Sequence, residues 1–141
     1  MASSKPLQIR GWLMRVLLSI KPEYAEKILD GHKLYEFRKS IFKNSSVKTV
    51  VIYATMPVGK VIGEFDFDEV LSDSPQAIWA ETSLYSGITE KFFNSYFDGR
   101  EKAHAIKVRS VRRYDVPISL KDFIPSGAAP QSFRYLYDDA V

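Results

Sequence analysis

Between residues 15 and 38 the hydrophobic period of the chain changes twice, and that succession limits the folds open to it. Residues 15–20 (Arg-Val-Leu-Leu-Ser-Ile) are apolar on both faces, as in a strand buried on both sides. Pro22 then stands where a first-turn helix proline belongs, with Ser19 or Lys21 at the cap. Tyr24, Ala25, Ile28 and Leu29 recur at helical spacing, and Gly31 supplies the stop. The period returns to two in residues 34–38. If extended, these direct Leu34, Glu36 and Arg38 one way and Tyr35 and Phe37 the other.

That last segment places a lysine, a carboxylate and an arginine close together, in the spacing Gly31, Lys33, Glu36, Arg38. Glu36 and Arg38, two apart on one strand face, can form a charge-assisted pair with Lys33 as a separate donor beside it. Lys33 shares that face only if it lies in the turn or at a bulge. The pair can brace the fold. It can also serve a ligand, with Arg38 or Lys33 meeting a phosphate and Glu36 accepting from a base amino group.

Downstream, residues 39–46 form a polar basic loop and residues 47–54 a strong strand. Residues 60–70 read as another strand, with Glu64, Asp66 and Asp68 on one face. Ser74-Pro75 opens a short helix reaching Ala80. Thr89-Glu90 opens a second, whose apolar stripe of Phe92, Phe93, Tyr96 and Phe97 reads as core, with Gly99 as its stop. Residues 102–114 are the longest strand candidate and place Lys107, Arg109 and Arg113 on one face, a layout that suits a nucleic-acid backbone. His104 reads as a packed or partly exposed strand residue. Residues 130–136 are too aromatic for a free linker and should dock. Tyr53, Trp79 and Phe133, at element ends or in loops, are the expected base-stacking rings.

Strict strand–helix alternation is missing, so a doubly wound parallel sheet is disfavoured. The expectation is an α+β fold: a small mixed or antiparallel β-barrel of five to six strands flanked by two to three helices, closed so that sheet edges disappear. The chain has 141 residues, enough for one domain over 14–141, with residues 1–13 as an extension. It has no cysteine and only His32 and His104, which excludes disulfides and thiolate zinc and disfavours a histidine-rich metal centre. The site is expected to need no metal or cofactor. No apolar run reaches the ~20 residues that span a bilayer, so the expected setting is cytoplasmic, with no membrane partner.

Charge is unevenly spread. Residues 1–60 carry 11 Lys/Arg against 4 Asp/Glu, residues 61–99 carry 1 against 8, and residues 100–141 carry 8 against 5. Such blocks suggest one basic and one acidic surface. The basic one would attract nucleic acid, and the acidic 61–99 segment could dock a protein partner.

The Gly-x-Lys-x-x-Glu-x-Arg spacing, in this order of elements, resembles the ASCH domains, relatives of the PUA domain. So do residues 17–22 and 28–31, Tyr53-Ala54-Thr55, Ile62-Gly63-Glu64-Phe65 and Pro130-Gln131-Ser132-Phe133, together covering about residues 14–136. The resemblance implies a PUA-like barrel with a cleft at the first helix and the motif strand, binding RNA or a modified nucleoside or nucleotide. It places Ser19, Lys21, Glu36, Arg38, Thr55, Gln131 and Phe133 among the ligand-binding candidates and Lys33, Tyr53, Lys60 and Ser132 among the catalytic ones. In a ribonuclease branch of the family, Tyr53, Lys60 and Ser132 would be the implicated tyrosine, lysine and serine, acting on the 2′-hydroxyl and phosphate without a metal. An amidohydrolase branch acts on N4-acetylcytidine with a lysine, a threonine three residues later and a downstream glutamate. Here Lys33 matches, but Glu36 replaces the threonine and Glu81 is the nearest glutamate. A carboxylate attacking an acyl group would form an anhydride, so the sequence departs from that branch.

Overall fold

The computed structural model describes residues 14–137, so the expected extension at residues 1–13 lies outside the described residues. The chain runs β1 (Met14–Ile20), α1 (Pro22–Leu29), β2 (Tyr35–Arg38), β3 (Val47–Ala54), β4 (Lys60–Asp66) and β5 (Val70–Asp73). It continues through α2 (Pro75–Thr82), a 3₁₀ turn (Ser83–Tyr85), α3 (Glu90–Tyr96), β6 (Ala103–Lys107), β7 (Val111–Ile118), α4 (Leu120–Phe123) and β8 (Arg134–Tyr137). The fold is α+β. A five-stranded sheet in the order β7-β4-β3-β1-β8 faces a three-stranded sheet in the order β2-β6-β5, giving a barrel-like sandwich.

β1 is central, parallel to β3 and antiparallel to β8, which is why both of its faces are apolar. The parallel pairing requires a long crossover, and that crossover carries α1 and β2. Val16, Leu18 and Ile20 point into the main core with Ile52, Phe65 and Ile106, while Leu17 packs on the opposite face with Val51, Tyr53 and Val61. α1 buries Ala25, Ile28 and Leu29. It can lie close to β4 because residue 63 is glycine: a Cβ there would come within 3.0 Å of Leu29 Cδ2 and 2.7 Å of the Arg112 carbonyl oxygen.

Two expected strands are each broken in two. Residues 60–70 divide into β4 and β5, and residues 102–114 into β6 and β7, each half lying in a different sheet. The breaks are sheet-switching corners, as in orthogonally packed sheets. Their backbone groups stay paired: Phe67 N–H donates to the Lys48 carbonyl (2.9 Å), and Val108 N–H donates to the Leu34 carbonyl (2.9 Å). With β8 formed by the docked tail, five expected long strands become eight in the described residues. Pro117 is tolerated inside β7 because that strand is a sheet edge.

The corners also reorganise the charge. Lys107 pairs with Glu69 and Arg109 with Asp68; Arg112 pairs with Glu64 and Asp66, and Arg113 with Glu26 and Asp30. Lys107, Arg109 and Arg113 therefore do not form the continuous basic stripe that an unbroken strand would give. Much of the acidic block is neutralised by cations of β6, β7 and their corner. His104 bonds Ser72 Oγ through Nδ1 at 2.7 Å, and its pKa is lowered by burial and by Lys102 and Arg100.

Candidate functional site

A cavity of about 250 Å³ opens where β1, α1, β2 and α3 meet the segment leading into β8. Lys33, Glu36 and Arg38 form its charged floor; Tyr24, Phe37, Phe92 and Tyr96 supply aromatic walls; Ser19, Lys21 and Gln131 are also in its lining.

Lys33 lies in the turn before β2, as a site shared with Glu36 requires. After Gly31 the backbone N–H groups of His32 and Lys33 both return to the Lys27 carbonyl, and the lysine side chain is directed inward. It is 2% exposed. Its Nζ donates to the Ser86 carbonyl at 2.6 Å and stands 4.7 Å from the Phe37 ring centre and 5.5 Å from that of Tyr24. Loss of water lowers its pKa from 10.5 to about 8; Glu36 opposes this and Lys27 adds to it.

Glu36 is 6% exposed, and its Oε2 accepts from Arg38 Nη1 at 3.2 Å. Arg38 Nη1 also reaches the Ser19 carbonyl (3.3 Å), and Nη2 donates to the Ser132 carbonyl (2.8 Å). One guanidinium thus connects the motif strand, β1 and the approach to β8. Glu36 Oε1 has no hydrogen bond to the described residues and is left to the cavity. Ser19 Oγ donates to the Pro130 carbonyl at 2.8 Å, a second tie to the tail.

The walls come from two helices. Tyr24 of α1 lies 5.4 Å from Phe92 of α3, and Phe92 and Tyr96 are 6.0 Å apart with planes within 15°. Burial raises the Tyr96 pKa, with Glu36 adding to the rise and Arg38 and Arg100 opposing it. Cations surround these rings: Lys21 Nζ is 5.5 Å from Phe92, Lys27 Nζ is 5.9 Å from Tyr24, and Lys39 Nζ is 4.7 Å from Tyr96.

Of the residues singled out in the sequence, Ser19, Lys21, Lys33, Glu36, Arg38 and Gln131 meet at this cavity. Ser132 joins through its backbone, and its Oγ lies 3.2 Å from that of Ser40. Phe133 turns inward against Phe42 and Tyr135. Thr55 lies in the turn just after β3, its N–H donating to the Ile20 carbonyl, and does not line the cavity. Tyr53 is buried beside Leu17 and Val51, in register with Ser19. Lys60 is exposed at the start of β4 opposite Ala54, so alternation directs it away from the face that carries Tyr53. Glu81 is exposed on α2. Of the three expected stacking rings, Trp79 packs on Phe93, and none lines the cavity. Phe92 and Tyr96, read as core, do line it. Their signal was the doubled stripe of α3, which makes two columns one residue apart: Phe93 and Phe97 face the core, and Phe92 and Tyr96 face the cavity.

The sequence model of the ASCH domain matches residues 18–112. An ASCH domain-containing ribonuclease of Zymomonas mobilis is 30% identical over 123 residues, which cover 85% of this chain and 82% of that protein. The large ribosomal subunit protein uL22 of Ureaplasma parvum is 31% identical over 122 residues, but the match spans only 39% of its length. Among solved structures, ASCH from Zymomonas mobilis superposes with a TM-score of 0.80 at 30% identity, covering 89% of this chain and 90% of that one. A crystal structure of a tyrosine-to-phenylalanine mutant of the same protein gives 0.81 at 29% identity, covering 89% of this chain and 92% of that one. With a family model matching residues 18–112 and a 30% identical relative matched over most of both chains, the chain belongs to the ASCH domain family.

Proposed function

We propose that this protein binds RNA by taking a single base into the cavity between α1, β2 and α3. The observation that carries the reading is one cavity with aromatic walls lined by both an uncommitted carboxylate oxygen, Glu36 Oε1, and the buried Lys33. A base edge presents donors and acceptors side by side, and its faces stack on such rings. The volume of about 250 Å³ lies just below the range of roughly 300–1,000 Å³ usual for drug-sized ligands and suits one base. RNA as the ligand class is supported by the Zymomonas relative, named a ribonuclease. Glu36→Gln and Lys33→Met should each weaken binding of single-stranded RNA about tenfold or more, measured by fluorescence anisotropy on variants with unchanged circular dichroism. Failure of the wild-type protein to bind RNA or any nucleoside overturns the reading.

A second reading, RNA cleavage, is favoured by that same relative. Lys33, with a pKa near 8, is the cavity group best matched to proton transfer near neutral pH, and Tyr53, Lys60 and Ser132 are the trio implied by resemblance. Labelled RNA incubated with the protein in EDTA tests it. Intact RNA ends this reading. Cleavage lost in Lys60→Ala with binding retained favours the trio, and cleavage lost only in Lys33→Met favours the cavity lysine.

A further inference from the structure

The outward rings of α3 carry a pattern that a pocket for a free nucleoside does not require. Phe92 and Tyr96 stand one helical turn apart with nearly parallel planes, and each has its own lysine over it, Lys21 on Phe92 and Lys39 on Tyr96. Both lysines are exposed, and they come from different elements: Lys21 caps α1 by its backbone, and Lys39 follows β2. Arg100 approaches Lys39, donating from Nη2 to its carbonyl at 3.3 Å. Lys39 and Arg100 lie outside the cavity lining and have no ion-pair partner among the described residues, unlike the arginines of β7. Both rings are half-buried, but Lys21 and Lys39 are exposed, and a solvated cation over a ring is held weakly and can exchange the ring for a phosphate.

We infer that Phe92 and Tyr96 form a two-ring stacking platform on which Lys21 and Lys39 leave the ring faces to meet the phosphates flanking the stacked nucleotides, so that the ligand is an internal stretch of single-stranded polynucleotide. The inference rests on the base-binding reading above and extends it from one base to a chain. Stacking explains the rings, because every base has a face to offer. One cation at each ring suits a backbone that continues on both sides of the stacked bases. A free nucleoside, with no flanking phosphate, would leave Lys39 without a role. Duplex RNA would hold its bases away from the platform.

The test compares a mixed-sequence single-stranded RNA decamer, the same decamer annealed to its complement, and the four free nucleosides, all against the full chain. The single-stranded decamer is expected to bind at least tenfold more tightly than any nucleoside at low salt. Lys21→Gln and Lys39→Gln should each reduce the slope of log K against log salt by about 0.7, and Lys39→Gln, outside the cavity lining, should leave nucleoside binding unchanged. Phe92→Leu, which keeps an apolar side chain in place, should weaken the decamer about tenfold through lost stacking. Nucleosides binding as tightly as the decamer would overturn the platform and leave the base pocket standing. Equal affinity for duplex, or salt slopes unmoved in both lysine variants, would also overturn it. If neither decamer nor nucleosides bind, the base-binding reading itself has failed.

Discussion

The stem of Lys33 lies so close to Gly87 that a methyl group on the glycine would come within 2.7 Å of the lysine Cβ and Cγ and 2.9 Å of Cδ. Gly87 also has a φ of +71°, and its carbonyl accepts from Lys27 Nζ at 3.1 Å. The segment after the 3₁₀ turn therefore closes over the lysine as a glycine-thin strap.

Gly87→Ala should consequently cost more than backbone strain alone. Gly31 is the internal control: its φ is +85°, and nothing lies within 4 Å of the position its Cβ would take. Gly31→Ala is expected to destabilise by about 1 kcal/mol, and Gly87→Ala by at least about 1 kcal/mol more. Urea unfolding measures both, and equal losses would show that the strap contact is slack.

Burial of Lys33 also makes stability depend on pH. Its pKa is about 8 in the folded protein against 10.5 as the ordinary value. Below pH 8 both states hold the proton, and the cost of burying the charge is fully present. Between pH 8 and 10.5 the unfolded chain retains the proton that the folded protein has released, so stability rises with pH, by about 3 kcal/mol at most. Lys33→Met should lack this rise and be more stable than wild type at pH 7. Urea midpoints of the two proteins across that window check the sign, and parallel curves would refute it.

Arg38→Met would leave the Glu36 carboxylate buried without its cation, at a cost of about 3 kcal/mol. Arg38→Met combined with Glu36→Gln should recover part of that loss, because no unpaired charge remains. The double variant still lacks the bond to the Ser132 carbonyl, so amide exchange around residues 130–133 should stay fast. Recovery of slow exchange there would mean that the tail docks without the arginine.

Tyr135 Oη accepts from the backbone N–H groups of both Lys43 and Asn44, at 3.1 and 3.2 Å, and so pins the β2–β3 loop to β8. Tyr135→Phe removes that acceptor and should destabilise by about 1 kcal/mol. Hydrogen exchange at Lys43 and Asn44 should accelerate while exchange in β3 is unchanged.

Much of the architecture was legible because local and global signals agreed. Pro22 and Gly31 bound α1, β1 is apolar on both faces because it is central, and the Glu36–Arg38 pair follows from period-two spacing. The corners at residues 67–69 and 108–110 were not legible, since Phe67 and Val108 are as apolar as their strand neighbours and only their backbone partners mark the switch of sheet. The cavity was half visible. Charged residues announced the floor, but the walls were hidden, because an aromatic ring facing a ligand and one facing the core give the same hydrophobic pattern. Only tertiary packing separates Phe92 from Phe93.

The guanidinium of Arg38 spans 94 positions of sequence to reach Ser132. The floor of the cavity can therefore be completed only after residue 132 is made, since a nascent chain emerging N-terminus first exposes the motif strand long before its anchor. Until residues 130–137 arrive, Arg38 lacks its Ser132 acceptor and β1 has an open edge. The joined floor thus awaits residues 130–137, and a protein truncated before residue 130 would carry every motif residue of the floor without the geometry that joins them.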